Sequence, residues 1–288
     1  MPASVRPSLQ RPTSSADAVD LSRRLGADAA YIAGGTALQL AWGVAEEERP
    51  GVSVLIDLLA GALASGVEVS VPADGMPGLR LGSGARLETL RRDPRLRVIA
   101  PRLAQALDAI GAPGVRHLAT LGGNIGWGCG DALPALLAAE ATVVLAEGPI
   151  LPLAEVLDAA RTAGRPVPLI TEICWPGRGT ACQGWSVFEK VGWRAAFSPS
   201  RLTLALEARS ERGVIAGARV AVTAAGWPAR RLPAVEAFLE GRLAAALGHQ
   251  EQSLRAVCAD ELVDSGRSRL LARLLVGHLA CEAASHGG

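Results

Sequence analysis

A glycine-rich stretch from Gly111 to Asp131, GAPGVRHLATLGGNIGWGCGD, contains the residues whose types and spacing are most suited to binding a ligand. Its seven glycines let the backbone take positive φ angles and approach a ligand without an intervening Cβ. The inner segment Thr120–Asn124, TLGGN, offers a hydroxyl, two side-chain-free amides and a carboxamide, which suit a phosphate or pyrophosphate. The stretch therefore predicts a binding loop rather than a core element. A simple chain-reversing turn is the alternative.

A second glycine turn follows a short apolar run, AAYIA, at residues 29–33. The order of strand, Gly34-Gly35-Thr36 and then an apolar helix is typical of a phosphate-binding turn, with Thr36 as the helix cap. The sequence Gly82-Ser83-Gly84-Ala85 lacks the third glycine or alanine of a dinucleotide fingerprint and predicts an ordinary strand-to-helix turn.

Composition excludes several classes of function. The chain of 288 residues is 49% hydrophobic and 20% charged, which indicates a globular protein large enough for one or two domains. A net charge of +1 gives no field that would attract nucleic acid or an anionic membrane. The sequence has neither a long uninterrupted apolar stretch nor a signal-peptide pattern, so we expect a cytoplasmic protein without membrane insertion.

The five cysteines and four histidines are dispersed, without a C-x-x-C pair or two histidines at helical spacing. This pattern argues against a disulfide framework, a zinc site or an iron–sulfur cluster held within this chain. We assign no metal ligand, and no nucleophile and base stand in a recognisable catalytic arrangement.

The elements read in order predict two parts. The first part has strands at 29–33, 52–58, 67–71, 142–145 and 169–175 and helices at 17–25, 37–42, 87–110, 131–139 and 153–160, with Asp17 and Asp131 as N-caps. Residues 176–184, PGRGTACQG, predict a boundary. Beyond it, strands at 185–191, 202–208 and 216–224 precede helices at 232–239, 244–259 and 267–284, which indicates an α+β domain with an antiparallel sheet.

The two glycine motifs taken together, AGGT at Ala33–Thr36 and TLGGN at Thr120–Asn124 with Asp131 after them, resemble those of a known family. This is the FAD-binding medium subunit of the molybdenum hydroxylases, the xanthine dehydrogenase and carbon monoxide dehydrogenase family. The resemblance continues in Leu55–Leu58, in Leu169–Ile173 and in Phe188-Glu189-Lys190. It implies an α+β fold with a two-subdomain PCMH-type FAD-binding domain at 1–178 (subdomains about 1–60 and 61–178) and a carboxy-terminal flavoprotein domain at 184–288, with a three-stranded antiparallel sheet and three helices.

The resemblance also implies non-covalently bound FAD, with its pyrophosphate between the two glycine turns. Asp131 would bind the adenosine side, Ile110 would pack on a ring, and Ile170 and Lys190 would lie near the flavin. Composition alone predicts that Ile110 and Ile170 are core residues and that Lys190 is a surface charge. The residues implied in FAD binding are Tyr31, Ile32, Ala33, Gly34, Gly35, Thr36, Ala37, Leu38, Ile110, Thr120, Leu121, Gly122, Gly123, Asn124, Asp131, Ile170 and Lys190.

Members of this family carry electrons within a larger enzyme. The resemblance implies a small subunit with two [2Fe–2S] clusters and a large molybdopterin subunit, assembled as a dimer of heterotrimers. The flavin would pass electrons to NAD⁺, O₂ or another acceptor, and no catalytic acid or base is expected in this chain. The substrate would be chosen by the large subunit.

The sequence departs from the family pattern at four places, one of them a shorter loop between Asn124 and Asp131, and two alternative functions remain open. Ala37 replaces the usual acidic residue, His117 replaces an asparagine, and Phe197-Ser198-Pro199 replaces an acidic pair. The changes at Ala37 and His117 motivate a flavin-free assembly or scaffold protein of the same fold as one alternative, whereas the change at 197–199 would alter what covers the flavin face. A stand-alone flavin oxidase is the other. The loop Ile125–Cys129 with Trp127 suggests either a subunit contact or a loop packed on its own domain.

Overall fold

The computed structural model describes residues 7–42, 52–70, 77–177, 184–194 and 198–286, and these ranges hold three sheets and the helices that cover them. The strands are β1 Ser8–Gln10, β2 Ala29–Ile32, β3 Val54–Asp57, β4 Val67–Ser70, β5 Gly78–Gly82, β6 Thr142–Leu145, β7 Ile150–Pro152, β8 Ile170–Trp175, β9 Gly184–Gly192, β10 Ser200–Glu211, β11 Val214–Ala224 and β12 Trp227–Arg231. The helices are α1 Ser15–Leu25, α2 Thr36–Trp42, α3 Leu87–Arg92, α4 Pro94–Ile99, α5 Pro101–Ala109, α6 Pro113–Leu118, α7 Leu121–Gly126, α8 Leu133–Ala138, α9 Leu153–Ala163, α10 Pro233–Leu239, α11 Glu251–Leu262 and α12 Ser265–His286.

The first sheet is parallel, in the order β1-β3-β2, and its carboxyl edge carries the first glycine turn. Helix α1 covers it through Ala18, which is fully buried together with Ile56 of β3. The predicted N-cap Asp17 is wrong. Ser14 caps α1 instead, because its hydroxyl accepts from the Asp17 amide at 3.0 Å, and Asp17 lies in the first helical turn.

The second sheet has five strands in the order β4-β5-β8-β6-β7, all neighbours being antiparallel. Strand β7 was not predicted, because a three-residue strand containing Pro152 has no periodicity to detect. The predicted helix at 87–110 is three helices, α3, α4 and α5, because Pro94 and Pro101 each occupy the first turn of a new helix.

The glycine-rich stretch contains two short helices, α6 and α7, which corrects the expectation of a loop outside the core. Leu121 and Ile125 lie one helical turn apart on α7, and both are fully buried. The Thr120 hydroxyl caps α7 by accepting from the Gly123 amide at 3.1 Å. A glycine-rich sequence forms a helix here because the apolar pair and the cap offset the low helix propensity of glycine.

The third sheet is antiparallel, in the order β12-β11-β10-β9, so it has one strand more than predicted. Strand β12, WPARR, contains Pro228 and two arginines and lacks a strand pattern. Helices α10, α11 and α12 cover this sheet around buried Trp185, Leu204 and Leu275. The predicted helix at 244–259 begins instead as a 3₁₀ helix at Ala244–Gln250 and becomes α-helical at Glu251.

The second and third sheets share one apolar core across helix α8. Ala205 of β10, Ala221 of β11 and Ala229 of β12 pack into the cluster that contains Leu136 of α8. The contact consists of alanines on the sheet side, which lets the helix lie close to the strands. The two parts of the chain are therefore joined by close packing, and residues 178–183 between them lie outside the described ranges.

Candidate functional site

The first glycine turn lies at the carboxyl edge of the parallel sheet, directly after β2. Gly35 has φ +69°, a left-handed conformation that favours glycine, and α2 begins at Thr36. The amides of residues 34–38 donate to no acceptor in the described part of the chain. Consecutive amides without an acceptor form a concave set of donors, which is how proteins bind phosphate groups.

The remaining predicted residues of this turn lie on or next to β2 and in the first turn of α2. Tyr31, Ile32 and Ala33 are half-buried, and the Tyr31 hydroxyl lies 3.5 Å from the Ala18 carbonyl oxygen. Ala37 and Leu38 are half-buried in the first turn of α2. The absence of a carboxylate at Ala37 keeps negative charge away from this part of the turn.

The tertiary structure brings the two glycine motifs into direct contact. A Cβ added to Gly34 would lie 2.8 Å from the Ala119 Cα and closer still to the Leu118 carbonyl oxygen. Both neighbours are backbone atoms, which cannot rotate away as a flexible side chain can. Gly34 is therefore required for the approach of the AGGT turn to the segment that leads into TLGGN.

The second glycine turn is fixed by hydrogen bonds within the protein. The Gly122 amide donates to the Ser83 carbonyl oxygen at 2.8 Å, the Gly123 amide donates to the Thr120 hydroxyl, and the Asn124 amide donates to the Thr120 carbonyl oxygen at 2.9 Å. A Cβ on Gly122 would lie 2.8 Å from the Ser83 Cβ. The amides of the second turn are already satisfied within the protein. The first turn therefore supplies the donors that are open to a ligand, and the second turn forms the other side of the site.

Asn124 orders the loop that follows α7. Its side-chain carbonyl oxygen accepts from the Ala132 amide at 3.3 Å, and Gly130 packs so closely against this side chain that a Cβ there would overlap it. The loop packs on its own chain, since the Ala229 amide of β12 donates to the Gly128 carbonyl oxygen at 2.8 Å. Trp127 in the same loop stays 46% exposed.

Asp131 is not the N-cap of α8, which corrects the sequence prediction. The helix begins at Leu133 with Ala132 as its cap residue and no side-chain capping bond. The Asp131 carboxylate instead lies 2.8 Å from Lys190 Nζ and accepts from the Thr203 hydroxyl at 2.6 Å. Pairing with a lysine and a threonine of β9 and β10 draws the carboxylate away from the helix terminus.

Lys190 connects the glycine-rich region with the third sheet. Its side chain is only 13% exposed, and its ammonium group also donates to the Ala109 carbonyl oxygen at 3.0 Å. The composition-based expectation of a surface charge is therefore wrong. Thr203, which is fully buried, was missed because a threonine in an alternating strand pattern gives no sign that it faces a carboxylate.

Ile110 and Ile170 are 7% and 5% exposed and belong to the core, as composition predicted. The backbone at Ile110 is held by a buried arginine. Arg116 donates through Nη1 to the carbonyl oxygens of Ile110 and Gly111 at 2.9 and 2.6 Å, and through Nε to Glu88 at 2.8 Å. This ion pair fixes the start of the glycine-rich stretch.

The carboxylate of Glu88 makes the stability of this region dependent on acid pH. Hydrogen bonds from Arg91 and Arg116 hold the pKa of Glu88 well below its ordinary value, and Arg92 adds a further contact. Because the pKa is lower in the folded chain, the stability gained is present above the unfolded pKa of about 4.3 and is lost as pH falls below it.

We expect the urea midpoint of the wild type to drop between pH 5 and pH 3 more steeply than that of Glu88→Gln. Glu155→Gln, at an exposed position on α9, should keep the wild-type slope, and equal slopes for all three proteins would contradict the prediction.

Two of the residues that depart from the family pattern, His117 and Ser198, lie in the described part of the chain. His117 is exposed on α6, next to Leu118 but away from the core. Phe197 lies outside the described residues, while Ser198 accepts from the Trp193 amide at 2.8 Å. Within the ranges that the structure describes, neither His117 nor Ser198 donates to or accepts from the residues of the first turn.

The described ranges contain no group of three histidine, cysteine, aspartate or glutamate side chains that could hold a metal ion. Cys129, Cys174, Cys258 and Cys281 are free thiols, and burial raises the pKa of Cys258 to about 12. Cys182 lies outside the described residues. None of the described helices combines the length and the apolar character needed to cross a bilayer.

The donor set of this site suits the diphosphate of a dinucleotide. The first turn has open amides, and Gly34 packs against the segment that leads into the second motif. Backbone amides can hydrogen-bond a diphosphate. The Asp131–Lys190 pair joins the loop after α7 to β9, and Ile110 and Ile170 belong to one buried apolar cluster. A separate groove of about 510 Å³ runs along α1 and is lined by Gln10, Arg11, Pro12, Asp17, Asp20, Leu21, Arg23 and Arg24.

Comparisons with known proteins identify the family of the chain and the fold. A sequence profile described as the FAD binding domain in molybdopterin dehydrogenase matches residues 4–177. The fold is similar to a chain of the carbon monoxide dehydrogenase from Hydrogenophaga pseudoflava, described as lacking the Mo-pyranopterin moiety of the molybdenum cofactor, with 23% identity, coverage of 97% of this chain and 98% of that chain, and a TM-score of 0.75. A chain of reconstituted CO dehydrogenase from Oligotropha carboxidovorans is 23% identical in sequence. The match covers 87% of this chain and 87% of that chain, with a TM-score of 0.70. A chain of quinoline 2-oxidoreductase from Pseudomonas putida 86 is 17% identical in sequence. The match covers 97% of this chain and 97% of that chain, with a TM-score of 0.70.

Proposed function

The chain belongs to the family of FAD-binding domains of molybdopterin dehydrogenases, and from this premise we propose that it is the electron-transferring flavoprotein subunit of a heteromeric molybdenum hydroxylase. The observation that carries the proposal is the junction of the two glycine turns. There Gly34, the first of the five residues with open amides, packs against the backbone of Leu118 and Ala119. Backbone donors of this kind bind the diphosphate of a dinucleotide cofactor.

The residues that would hold FAD follow from the two turns and the charged pair. Tyr31–Leu38 and Thr120–Asn124 would form the two sides of the diphosphate site, and Asp131 would bind the adenosine side. Ile110 would pack on a ring, and Ile170 and Lys190 would lie near the flavin. In this proposal residues 1–178 form the FAD-binding domain, with subdomains at about 1–60 and 61–178, and residues 184–288 form the carboxy-terminal flavoprotein domain.

The redox chemistry would be supplied by the isoalloxazine ring when FAD is bound. The chain's own residues would bind the cofactor, orient it and exclude water, and none of them would act as a catalytic acid or base. Electrons would come from [2Fe–2S] clusters in a small partner subunit, after substrate oxidation in a large molybdopterin subunit, and would leave to an external acceptor. The complex would be a dimer of heterotrimers in the cytoplasm.

The test is an absorbance spectrum of the purified chain before and after acid release of the chromophore. We expect the bands of oxidised flavin and release of free FAD in equimolar amount, since the proposed site has no residue assigned to a covalent link. Co-purification of subunits carrying molybdenum and iron–sulfur clusters would then test the proposed assembly. Turnover of a substrate by the isolated chain would favour a stand-alone flavin oxidase instead.

A flavin-free scaffold of the same fold is the second candidate, and one observation favours it. The amides of Gly122, Gly123 and Asn124 all donate within the protein, so only one of the two turns has open donors. A colourless chain that also fails to take up added FAD would support the scaffold and overturn the proposal above.

A further inference from the structure

We propose that Arg86 is the cation that neutralises the cofactor's diphosphate at the junction of the two glycine turns. The inference rests on the proposed FAD-binding function and adds a residue to it. Arg86 immediately precedes α3, and its guanidinium donates to the Leu118 carbonyl oxygen. That same oxygen is the atom nearest to the Cβ position of Gly34. The guanidinium and the first glycine turn thus meet at one carbonyl group.

The backbone fixes this position from both sides. Arg86 and Thr120 form an antiparallel β-bridge, the Leu87 amide donates to the Ala119 carbonyl oxygen at 3.0 Å, and the Leu121 amide donates to the Ala85 carbonyl oxygen at 3.0 Å. Arg86 is therefore held against the start of the TLGGN motif. Its side chain is already held at the junction by the bond to the Leu118 carbonyl oxygen, so ligand binding costs little further side-chain freedom.

The charge of Arg86 is available for a ligand. In the described ranges its guanidinium makes no ion pair with a carboxylate, whereas Lys190 is paired with Asp131 and Arg116 is paired with Glu88. A guanidinium has five N–H donors, and the bond to Leu118 uses one of them. The remaining donors form a planar fork that matches two phosphate oxygens.

The chemistry of the ligand explains why a cation is needed here. A diphosphate within FAD carries two negative charges, and backbone amides contribute only partial positive charges. The second turn has its amides committed to Ser83 and Thr120, so it offers less compensation than a turn with open donors. Arg86 provides a full positive charge on that side of the junction.

The experiment measures the binding of FAD and of ADP, which contains a diphosphate but no flavin, to the full chain. Arg86→Gln keeps an N–H donor for Leu118 and removes the charge, and we expect affinity for both ligands to fall about tenfold. Arg86→Lys should restore most of the loss for ADP, and the difference between the wild type and Arg86→Gln should shrink as the salt concentration rises, which a merely structural role for the Leu118 bond would not cause. Arg161→Gln, which removes an arginine paired with Asp158 on the surface of α9, is the matched control and should bind like the wild type.

A second measurement does not depend on a variant that folds. Phenylglyoxal labels accessible arginines, and mass spectrometry of the wild type should show that FAD or ADP protects Arg86 but not Arg161. Equal labelling of Arg86 with and without ligand, or unchanged affinities in Arg86→Gln, would overturn the inference and leave the proposed function intact. A wild-type chain that binds neither ligand would overturn both.

Discussion

Replacing Gly34 with alanine is expected to weaken FAD binding at least a hundredfold and to lower the free energy of unfolding by about 2 kcal/mol. The new methyl group would overlap the backbone at Leu118 and Ala119, so the two glycine turns would have to separate. Separation would remove the geometry in which the open amides of the first turn face the second motif. Fluorescence titration with FAD and urea unfolding of the FAD-free chain measure the two effects.

Gly114→Ala is the matched control, because it introduces the same methyl group in the same glycine-rich segment. A Cβ at Gly114 meets nothing within 4 Å, and Gly114 lies on exposed α6. Since alanine favours a helix over glycine, this variant should be more stable by about 0.5 to 1 kcal/mol and should keep wild-type affinity for FAD. Wild-type affinity in Gly34→Ala would show that the contact between the turns is not needed for binding.

Replacing Lys190 with methionine is expected to lower the free energy of unfolding by about 2 to 3 kcal/mol, because it leaves the Asp131 carboxylate buried without its cation. The two side chains are 13% and 16% exposed and lie 2.8 Å apart. The Thr203 hydroxyl would remain as a donor but carries no compensating charge. If the cofactor site is built as proposed, FAD affinity should fall as well, since this pair joins the loop after α7 to the third sheet.

A double-mutant cycle separates the ion pair from simple loss of packing. Asp131→Asn together with Lys190→Met should cost less than the sum of the two single changes, because the double variant no longer buries an uncompensated charge. The exposed pair Arg161–Asp158 provides the control, and Arg161→Met should change stability by less than about 1 kcal/mol. Additive effects in the cycle would indicate that Asp131 and Lys190 contribute independently.

The sequence predicted most helices and strands where apolar periodicity is strong. The strand at 142–145 is confirmed at its predicted residues, and the helix at 153–160 extends only to Ala163. Errors fall where the pattern is weak or where a local signal competes with tertiary contacts. Strand β12, the helices within the glycine-rich stretch and the 3₁₀ helix at Ala244–Gln250 are such cases, because pairing and burial decided their conformation.

The site was only partly predictable for a related reason. Residue types and spacing identified the two glycine turns. A positive φ or a close backbone contact restricts a position to glycine, and the glycine is then visible in the sequence. No comparable sequence pattern identifies the residues that pair with Asp131. Lys190 and Thr203 are far from it along the chain, and a lysine or a threonine in a strand looks the same whether it faces solvent or a carboxylate.

The sequence by itself determined the α+β character of the chain, the two glycine motifs and the resemblance to a flavoprotein family, since these depend on local pattern and residue type. Only the tertiary structure decided that Gly34 touches the backbone at Leu118, that the second turn uses its own amides, and that Arg86 reaches the junction. These are contacts between residues distant in the chain. Their geometry is set by how the sheets and helices pack, which no single segment encodes.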